Sequence, residues 1–249
     1  MYIVWIVSFS FGLFVFLDVL SAMPRMAGSI IGLNGLAYSF QVMVATLKRV
    51  LIVTYPPFVG LAALKGGAEL VVLAIAGSYF LGMISVTLCF AIRVPLVSFF
   101  CAAISSYGDG VGLWKAVRNG YANRKKWKGD VIEKIWPYRG FSALKSMDYG
   151  VFIPAVWIFF FYGASVFVVN LVSLKFPDLS PVILQTTGFV NALGTLALAF
   201  YLDPKISVRY ENKKSVFSVS YSIVGAHVVN LFLVGPAFFL FVVVFFDYI

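Results

Sequence analysis

Charged residues are scarce in this chain. They make up 12% of its 249 residues, whereas hydrophobic residues make up 61% and the mean hydropathy is +0.97. A soluble domain carries about 25% charged residues, so the composition excludes that class of protein. Several apolar runs reach the length of about 20 residues that a helix needs to cross a bilayer. The sequence therefore predicts an all-α, polytopic integral membrane helix bundle formed by a single transmembrane domain.

Cysteine and histidine are almost absent. Cys89 and Cys101 lie in apolar sequence without CxxC spacing, which indicates packing residues and neither a disulfide nor a metal site. His227 is the only histidine, so one chain cannot form a two-histidine metal site. No HExxH, Walker or GxSxG sequence occurs. We therefore expect a protein that has no metal or cofactor and is not an enzyme.

Acidic residues are also few, 10 against 19 lysines and arginines, which gives a net charge of +9. The cations lie mostly in short loops beside apolar segments, where the positive-inside rule places them, so we expect no nucleic-acid partner. The loop 107–150 is the most basic, and Trp114, Trp127 and Trp136 are interleaved with its cations. Basic residues with tryptophan indicate an interfacial helix on anionic membrane lipids. The cations of this loop are Lys115, Arg118, Arg124, Lys125, Lys126, Lys128, Lys134, Arg139 and Lys145.

Six segments are predicted to span the membrane. If the loop 107–150 is cytoplasmic, six spans place both termini outside, and only Lys65 and Lys175 among the loop cations fall outside. We expect the second span to end at Pro56-Pro57, because proline interrupts a helix. The spans cover about residues 2–20, 36–55, 70–92, 151–174, 181–202 and 216–246.

Two span ends carry further expectations. The third span is followed by Arg93 and Pro95 within a run that stays apolar to residue 105. Residues 93–106 are therefore part of a long tilted span, a re-entrant segment or an interfacial piece. Arg93 is correspondingly an intramembrane cation or the first residue at the interface. The fifth span is expected to end at Asp203-Pro204-Lys205.

Lys48 and Arg49 are adjacent cations inside the second span. A cation at membrane depth costs about 2.5–3.5 kcal/mol on insertion scales and usually faces the bundle interior or a wet cavity. The alternative is that both side chains extend to the interface. Pro56 is eight residues from Lys48, about 12 Å along a helix, and a lysine stem covers about half of that distance. We therefore favour the inward-facing arrangement.

Other predicted spans also carry polar residues. Small and polar side chains in spans are packing residues by default, but fixed positive charge in an apolar cavity suits an anionic ligand. Phosphate is the best match for lysine and arginine together, and a lipid phosphate brings its own hydrocarbon tail. The residues thus predict a membrane protein that handles an anionic lipid or another phosphate-bearing substrate. The candidate headgroup-binding residues are Arg25, Lys48, Arg49, Arg93, Asn191, Thr195, Asp203, His227 and Asn230.

Several short patterns follow one another along the chain. They are Arg25-Met-Ala-Gly28, Arg49 with Pro57 and Gly60, Phe176-Pro-Asp178, Val190-Asn-Ala-Leu-Gly194-Thr195, Asp203-Pro204-Lys205 and Pro236-Ala237. Their order and spacing resemble the Amj family, the alternate lipid II flippases of bacteria that can substitute for MurJ. The loop 107–150 shows no match. The chain departs from the family at Lys48 and at the basic residues after Asp203-Pro204, where a headgroup would be recognised.

The resemblance implies a flippase that moves a polyprenyl-pyrophosphate-linked sugar, lipid II, from the cytoplasmic to the outer leaflet of the bacterial inner membrane. Lys48 and Arg49 would bind the pyrophosphate and Arg25 would receive it on the cytoplasmic side. The implied partners are the lipid-linked oligosaccharide, anionic lipids, a second copy of the chain and the cell-envelope assembly machinery. Three alternatives remain open: a flippase for another lipid-linked glycan, a membrane-embedded polyprenyl-phosphate transferase or phosphatase that uses His227, Asp203 or Asp18, and a non-catalytic scaffold.

Overall fold

The computed structural model describes residues 1–135, 145–211 and 216–245. These residues are helical almost throughout and contain no strand, which confirms the predicted all-α class. Helical segments that are long and apolar enough to cross a bilayer occur along most of this length, so the chain is a membrane protein. The five candidate segments are Tyr2–Ile31, Asn34–Ala91, Tyr149–Lys175, Pro177–Tyr210 and Val216–Val244.

The N-terminal helices are α1 (Tyr2–Leu20) and α2 (Met23–Ile31). Helix α1 has the bounds predicted for the first span. Pro24 lies in the first turn of α2, where its missing N–H costs nothing. Gly32 ends α2 in the left-handed region, with φ of 77°. Ser21 and Ala22, which join α1 to α2, keep right-handed helical backbone angles. Arg25 lies in the first turn of α2 and is buried.

Helix α3 (Asn34–Ala91) folds back on itself at Gly66 and Gly67. The ring of Phe11 in α1 lies 6.0 Å from the ring of Tyr55 and 5.9 Å from that of Tyr79. In a straight helix the two tyrosines would be about 36 Å apart, at 1.5 Å per residue. Residues 34–65 and 68–91 are therefore two arms of a hairpin, and both pack against α1. We call them the first and second arms.

The predicted end of the second span at Pro56-Pro57 is wrong. Both prolines lie inside the first arm, and the helix continues to the glycine pair. A proline in a membrane helix is tolerated where neighbours satisfy the freed carbonyls. The reversal needs Gly67, whose φ of 58° with ψ of −148° is open to glycine and strained for other residues.

Residues 93–106 do not extend the third span. The second arm ends at Ala91, and Arg93 begins a separate helix, α4 (Arg93–Gly108), that packs on α2. Cys101 lies there, buried, with its Sγ 3.8 Å from the Ala27 carbonyl oxygen. Burial raises the pKa of this thiol to about 12. The expectation of an inert packing cysteine agrees with this environment.

The basic segment contains helix α5 (Leu113–Asn123), a 3₁₀ turn (Arg124–Trp127) and helix α6 (Lys128–Ile135). Helix α5 packs on α4 through Ala116 and Gly120. Trp114 on its other side is 85% exposed, as a side chain at a membrane interface would be. Trp136 and Arg139 lie outside the described residues.

The C-terminal half contains α7 (Tyr149–Lys175), α8 (Ser180–Ala197), α9 (Asp203–Glu211), α10 (Val216–Val229) and α11 (Gly235–Phe245). Two π-helical turns, Leu198–Leu202 and Asn230–Val234, join α8 to α9 and α10 to α11. The helix therefore continues through Asp203-Pro204, where the sequence predicted its end. Proline is tolerated inside a membrane helix where a local π adjustment accommodates it. Lys213 and Lys214 lie outside the described residues.

Close packing of α1 on the second arm should make Gly12→Leu destabilising. A β-carbon at Gly12 would lie 3.0 Å from the Leu81 Cβ and 3.4 Å from its backbone, so a larger side chain has no room. We expect a loss of about 1–3 kcal/mol, typical of overpacking, measured by thermal unfolding in detergent. The control is Gly35→Leu, since no described atom outside its own helix lies within 4 Å of the added β-carbon. Equal melting temperatures for the two variants would refute this packing.

Candidate functional site

Three ionisable side chains from distant parts of the chain meet in the interior. Lys48 Nζ lies 2.6 Å from Asp18 Oδ1, and these side chains are 13% and 7% exposed. His227 Nε2 lies 3.3 Å from the other carboxylate oxygen, Asp18 Oδ2. That nitrogen has no aligned hydrogen bond among the described residues, so its contact with Asp18 is one of proximity only. We call Asp18, Lys48 and His227 the buried triad.

Each member of the buried triad is placed by a different helix. Asp18 lies in the last turn of α1, Lys48 in the middle of the first arm and His227 near the end of α10. The imidazole of His227 stacks on Phe159 of α7, with ring centroids 3.9 Å apart and planes within 11°. This stacking fixes the ring while its Nε2 faces Asp18. The triad thus connects the N-terminal hairpin to the C-terminal helices.

A small cavity of about 20 Å³ adjoins the buried triad. Asp18, His227 and Asn230 line it together with the aromatic residues Tyr79 and Tyr162. A volume of this size holds about one water molecule, provided that polar partners are present. Carboxylate, imidazole, amide and phenol groups supply such partners. The cavity can therefore hold one ordered water molecule, which could pass a proton between these groups.

Arg49 is exposed on the first arm, whereas its neighbour Lys48 faces inward to Asp18. Among the described residues, no carboxylate lies within 4 Å of Arg49. Asp203, at the start of α9, is also exposed and lies within electrostatic range of Lys48, Arg49 and Asp18. The surface beside the triad therefore presents a cation that is free to meet an anionic group.

Arg25 lies close to the first arm and to α9, and it is 9% exposed. Its guanidinium carbon lies 4.5 Å from the ring centroid of Tyr210 and 5.2 Å from that of Tyr38, both within cation–π distance. Asp203 lies within electrostatic range of Tyr210, so Arg25 and Asp203 belong to the same neighbourhood. The structure thus brings Arg25 near the predicted site but clamps it between aromatic rings.

Arg93 is not brought to this site. One guanidinium nitrogen donates to the Phe90 carbonyl oxygen at 2.7 Å, and the guanidinium lies 4.0 Å from the Phe90 ring centroid. These contacts stabilise the break between the second arm and α4. The prediction that Arg93 binds a headgroup with Lys48 and Arg49 receives no geometric support.

Polar residues of α8 make hydrogen bonds to α7 at successive positions along the contact between the two helices. Ser165 Oγ donates to Asn191 Oδ1 at 3.1 Å, and the Tyr162 hydroxyl bonds that of Thr195. Asp203 follows one π turn further along. Polar groups therefore recur from Asn191 to Asp203. In the most apolar 18-residue stretch of Pro177–Tyr210, only 6% of the residues are buried within the protein.

A groove of about 440 Å³ lies between the first arm, α7 and the start of α8. Its walls are apolar, with Pro57, Phe58 and Leu184 among them. Asn170 also lines the groove. Its Oδ1 is buried, finds no hydrogen-bond partner among residues 1–135, 145–211 and 216–245, and would lie 3.7 Å from a β-carbon at Gly60. The groove begins about 12 Å along the first arm from Arg49, at 1.5 Å per residue.

Asp18 was not among the predicted headgroup-binding residues. The sequence suggested it only as a possible base if the protein were a transferase or phosphatase. Its signal was a carboxylate within an apolar span that must find a cation. The groove residue Asn170 gave no signal beyond being polar within a span. Comparison of the chain with protein-family models, with characterised proteins and with solved structures gave no match.

Proposed function

We propose that this protein is a flippase for a polyprenyl-pyrophosphate-linked sugar in the bacterial inner membrane, with lipid II as the substrate that the family resemblance suggests. The observation that carries the proposal is Arg49, an exposed cation within a candidate span that has no carboxylate partner in the part of the chain that the structure describes. An arginine held there needs a counter-charge, and a lipid phosphate supplies one from within the bilayer.

The apolar groove supports the same substrate class. A headgroup at Arg49 places the first isoprene units about 12 Å away along the first arm, beside Pro57 and Gly60. The uncharged walls there favour hydrocarbon over water. The side chains of Asn191 and Thr195 on α8 offer a moving headgroup further hydrogen-bond partners.

The direct test is translocation in proteoliposomes. Purified protein is reconstituted with fluorescent lipid II, and a membrane-impermeant quencher reports the fraction that reaches the opposite leaflet. We expect lipid II to be translocated only when the protein is present. We expect undecaprenyl phosphate, which lacks the sugar, to be translocated more slowly than lipid II. A rate equal to that of empty vesicles for lipid II and other polyprenyl-linked glycans would refute the proposal. Rescue of cells depleted of their own lipid II flippase tests the substrate in vivo.

A second candidate function is hydrolysis or transfer at a polyprenyl phosphate, which the adjacency of Asp18 and His227 favours. A carboxylate 3.3 Å from an imidazole is the spacing of a base and the group that orients it. Release of inorganic phosphate from undecaprenyl pyrophosphate by the wild type, and its loss in His227→Gln, would support this alternative. Translocation without covalent change of the lipid would exclude it.

Filling the groove is expected to slow translocation. Gly60→Phe adds a ring to the groove, where the nearest atom to the new β-carbon is Asn170 Oδ1 at 3.7 Å, so the helix itself should fold normally. We expect the rate to fall about tenfold, equivalent to 1.4 kcal/mol, with an unchanged melting temperature. Gly188→Phe, on α8 with open space around it, is the matched control. Equal rates for both variants would place the lipid elsewhere.

A further inference from the structure

The buried triad holds its charges in balance without any ligand. Lys48 and Asp18 form an ion pair at 2.6 Å, and His227 stands beside the same carboxylate. Neutral imidazole makes the set electrically neutral in total. Because the side chains are at most 13% exposed, removal of any one charge would leave another uncompensated in a medium that solvates it poorly.

Lys48 and Arg49 are adjacent in sequence, so an anionic group drawn to Arg49 also comes within the field of the Lys48 ammonium. A phosphate then competes with Asp18 for Lys48, since both are anionic oxygen acceptors. If Lys48 turns to the phosphate, Asp18 loses its counter-ion while it remains buried. A buried carboxylate without a cation is unfavourable and favours its protonated form.

We infer that the phosphate group of the substrate and one proton bind to this protein together, with the buried triad as the proton site. This inference rests on the proposed function and adds the coupling ion to it. The Lys48 ammonium leaves Asp18 Oδ1 and bonds a phosphate oxygen. Asp18 accepts a proton from the adjoining cavity, with His227 Nε2 as carrier, and returns it when the phosphate leaves.

The surroundings of His227 are suited to this role. Asp18 faces it from α1 and Lys48 from the first arm, while Tyr79 and Tyr162 line the shared cavity from the second arm and α7. Asp203 is within electrostatic range of Asp18 from α9. Among the described residues, His227 Nε2 is buried without an aligned partner, so a proton placed on it is not already committed to another acceptor.

The test measures protons taken up when a short polyprenyl pyrophosphate binds. The purified full chain in detergent is titrated with farnesyl pyrophosphate in weak buffer that contains a pH-sensitive dye. We expect about one proton per bound ligand, and an affinity that rises about tenfold per unit fall in pH, the slope of one linked proton. Inorganic pyrophosphate and farnesol separate a free phosphate from a lipid headgroup as the source of the effect.

Two variants distinguish protons taken up by the buried triad from protons taken up by the pyrophosphate of the ligand. Asp18→Asn removes the proton acceptor and releases Lys48, so it should bind farnesyl pyrophosphate more tightly at neutral pH and take up only the protons that the ligand itself binds. Asp148→Asn removes a carboxylate from a different ion pair, with Arg209, and should behave as wild type. His227→Gln should slow the uptake, and it serves as the test if Asp18→Asn does not fold.

The outcomes separate the two proposals. Binding with equal proton uptake by wild type and Asp18→Asn would overturn the coupling and leave the flippase proposal intact. Absence of binding to farnesyl pyrophosphate by wild type at every pH would overturn the phosphate-binding function itself. Uptake of about one additional proton by wild type alone supports the coupling.

Discussion

Replacement of Arg49 by alanine is expected to lower the translocation rate about 100-fold, because a lost charge-assisted phosphate contact costs about 1.5–3 kcal/mol and each 1.4 kcal/mol is tenfold. Arg49 is exposed and has no carboxylate within 4 Å among the described residues. Its removal therefore breaks no ion pair, and expression and thermal stability should stay at the wild-type level. The rate is measured by quenching of fluorescent lipid II in proteoliposomes.

The control for Arg49→Ala is Lys65→Ala. Lys65 is another exposed cation of the first arm and lies beside the glycine reversal, away from the buried triad. It changes net charge equally but should leave the rate unchanged. Arg49→Lys should restore only part of the rate, because lysine keeps the charge and loses the two-pronged contact with phosphate oxygens. A fully active Arg49→Ala variant would remove Arg49 from the site.

The largest expected effect on stability is that of Asp18→Leu. This change leaves the Lys48 ammonium, on a side chain only 13% exposed, without its counter-ion, 2.6 Å from where a carboxylate oxygen stood. Breaking one partner of a buried ion pair costs about 3–5 kcal/mol, and we expect a correspondingly lower melting temperature in detergent. The remaining triad contact, that of His227 with Asp18, is lost in the same variant.

The double variant Asp18→Leu with Lys48→Met separates stability from function. Replacing both charges by apolar groups of similar size is often neutral or stabilising, so the melting temperature should recover. Translocation should remain low because the proton acceptor is gone. If the double variant melts as low as Asp18→Leu alone, the ion pair is not the source of the loss. If it translocates normally, the triad has a structural role only.

Hydropathy was sufficient to predict which segments are apolar helices, since burial in lipid requires long uncharged runs whatever their packing. It was not sufficient for their ends. Proline suggested a stop at Pro56-Pro57, yet the helix continues to Gly66-Gly67, where the backbone conformation itself changes. The reversal depends on packing of both arms against Phe11, a contact between residues far apart in sequence.

The site was predicted in part for a similar reason. Lys48 and Arg49 were recognised because a charge within an apolar span is energetically conspicuous. Their neighbouring positions in the sequence do not show that the two residues differ in role. Lys48 faces Asp18 of another helix, whereas Arg49 is exposed. Arg93 resembled them in sequence but bonds the Phe90 carbonyl oxygen. Partners distant in the chain decide each case.

The π turn Leu198–Leu202 changes the angular position of everything that follows it. In an unbroken α-helix at about 100° per residue, Asp203 would be rotated about 80° from Thr195 around the helix axis. A π turn accommodates one extra residue, so the rotation falls to about 20° in the opposite sense. Asp203 therefore aligns with Thr195 because of the π turn, and the same sequence wound as an unbroken α-helix would turn this carboxylate away from the Thr195 face.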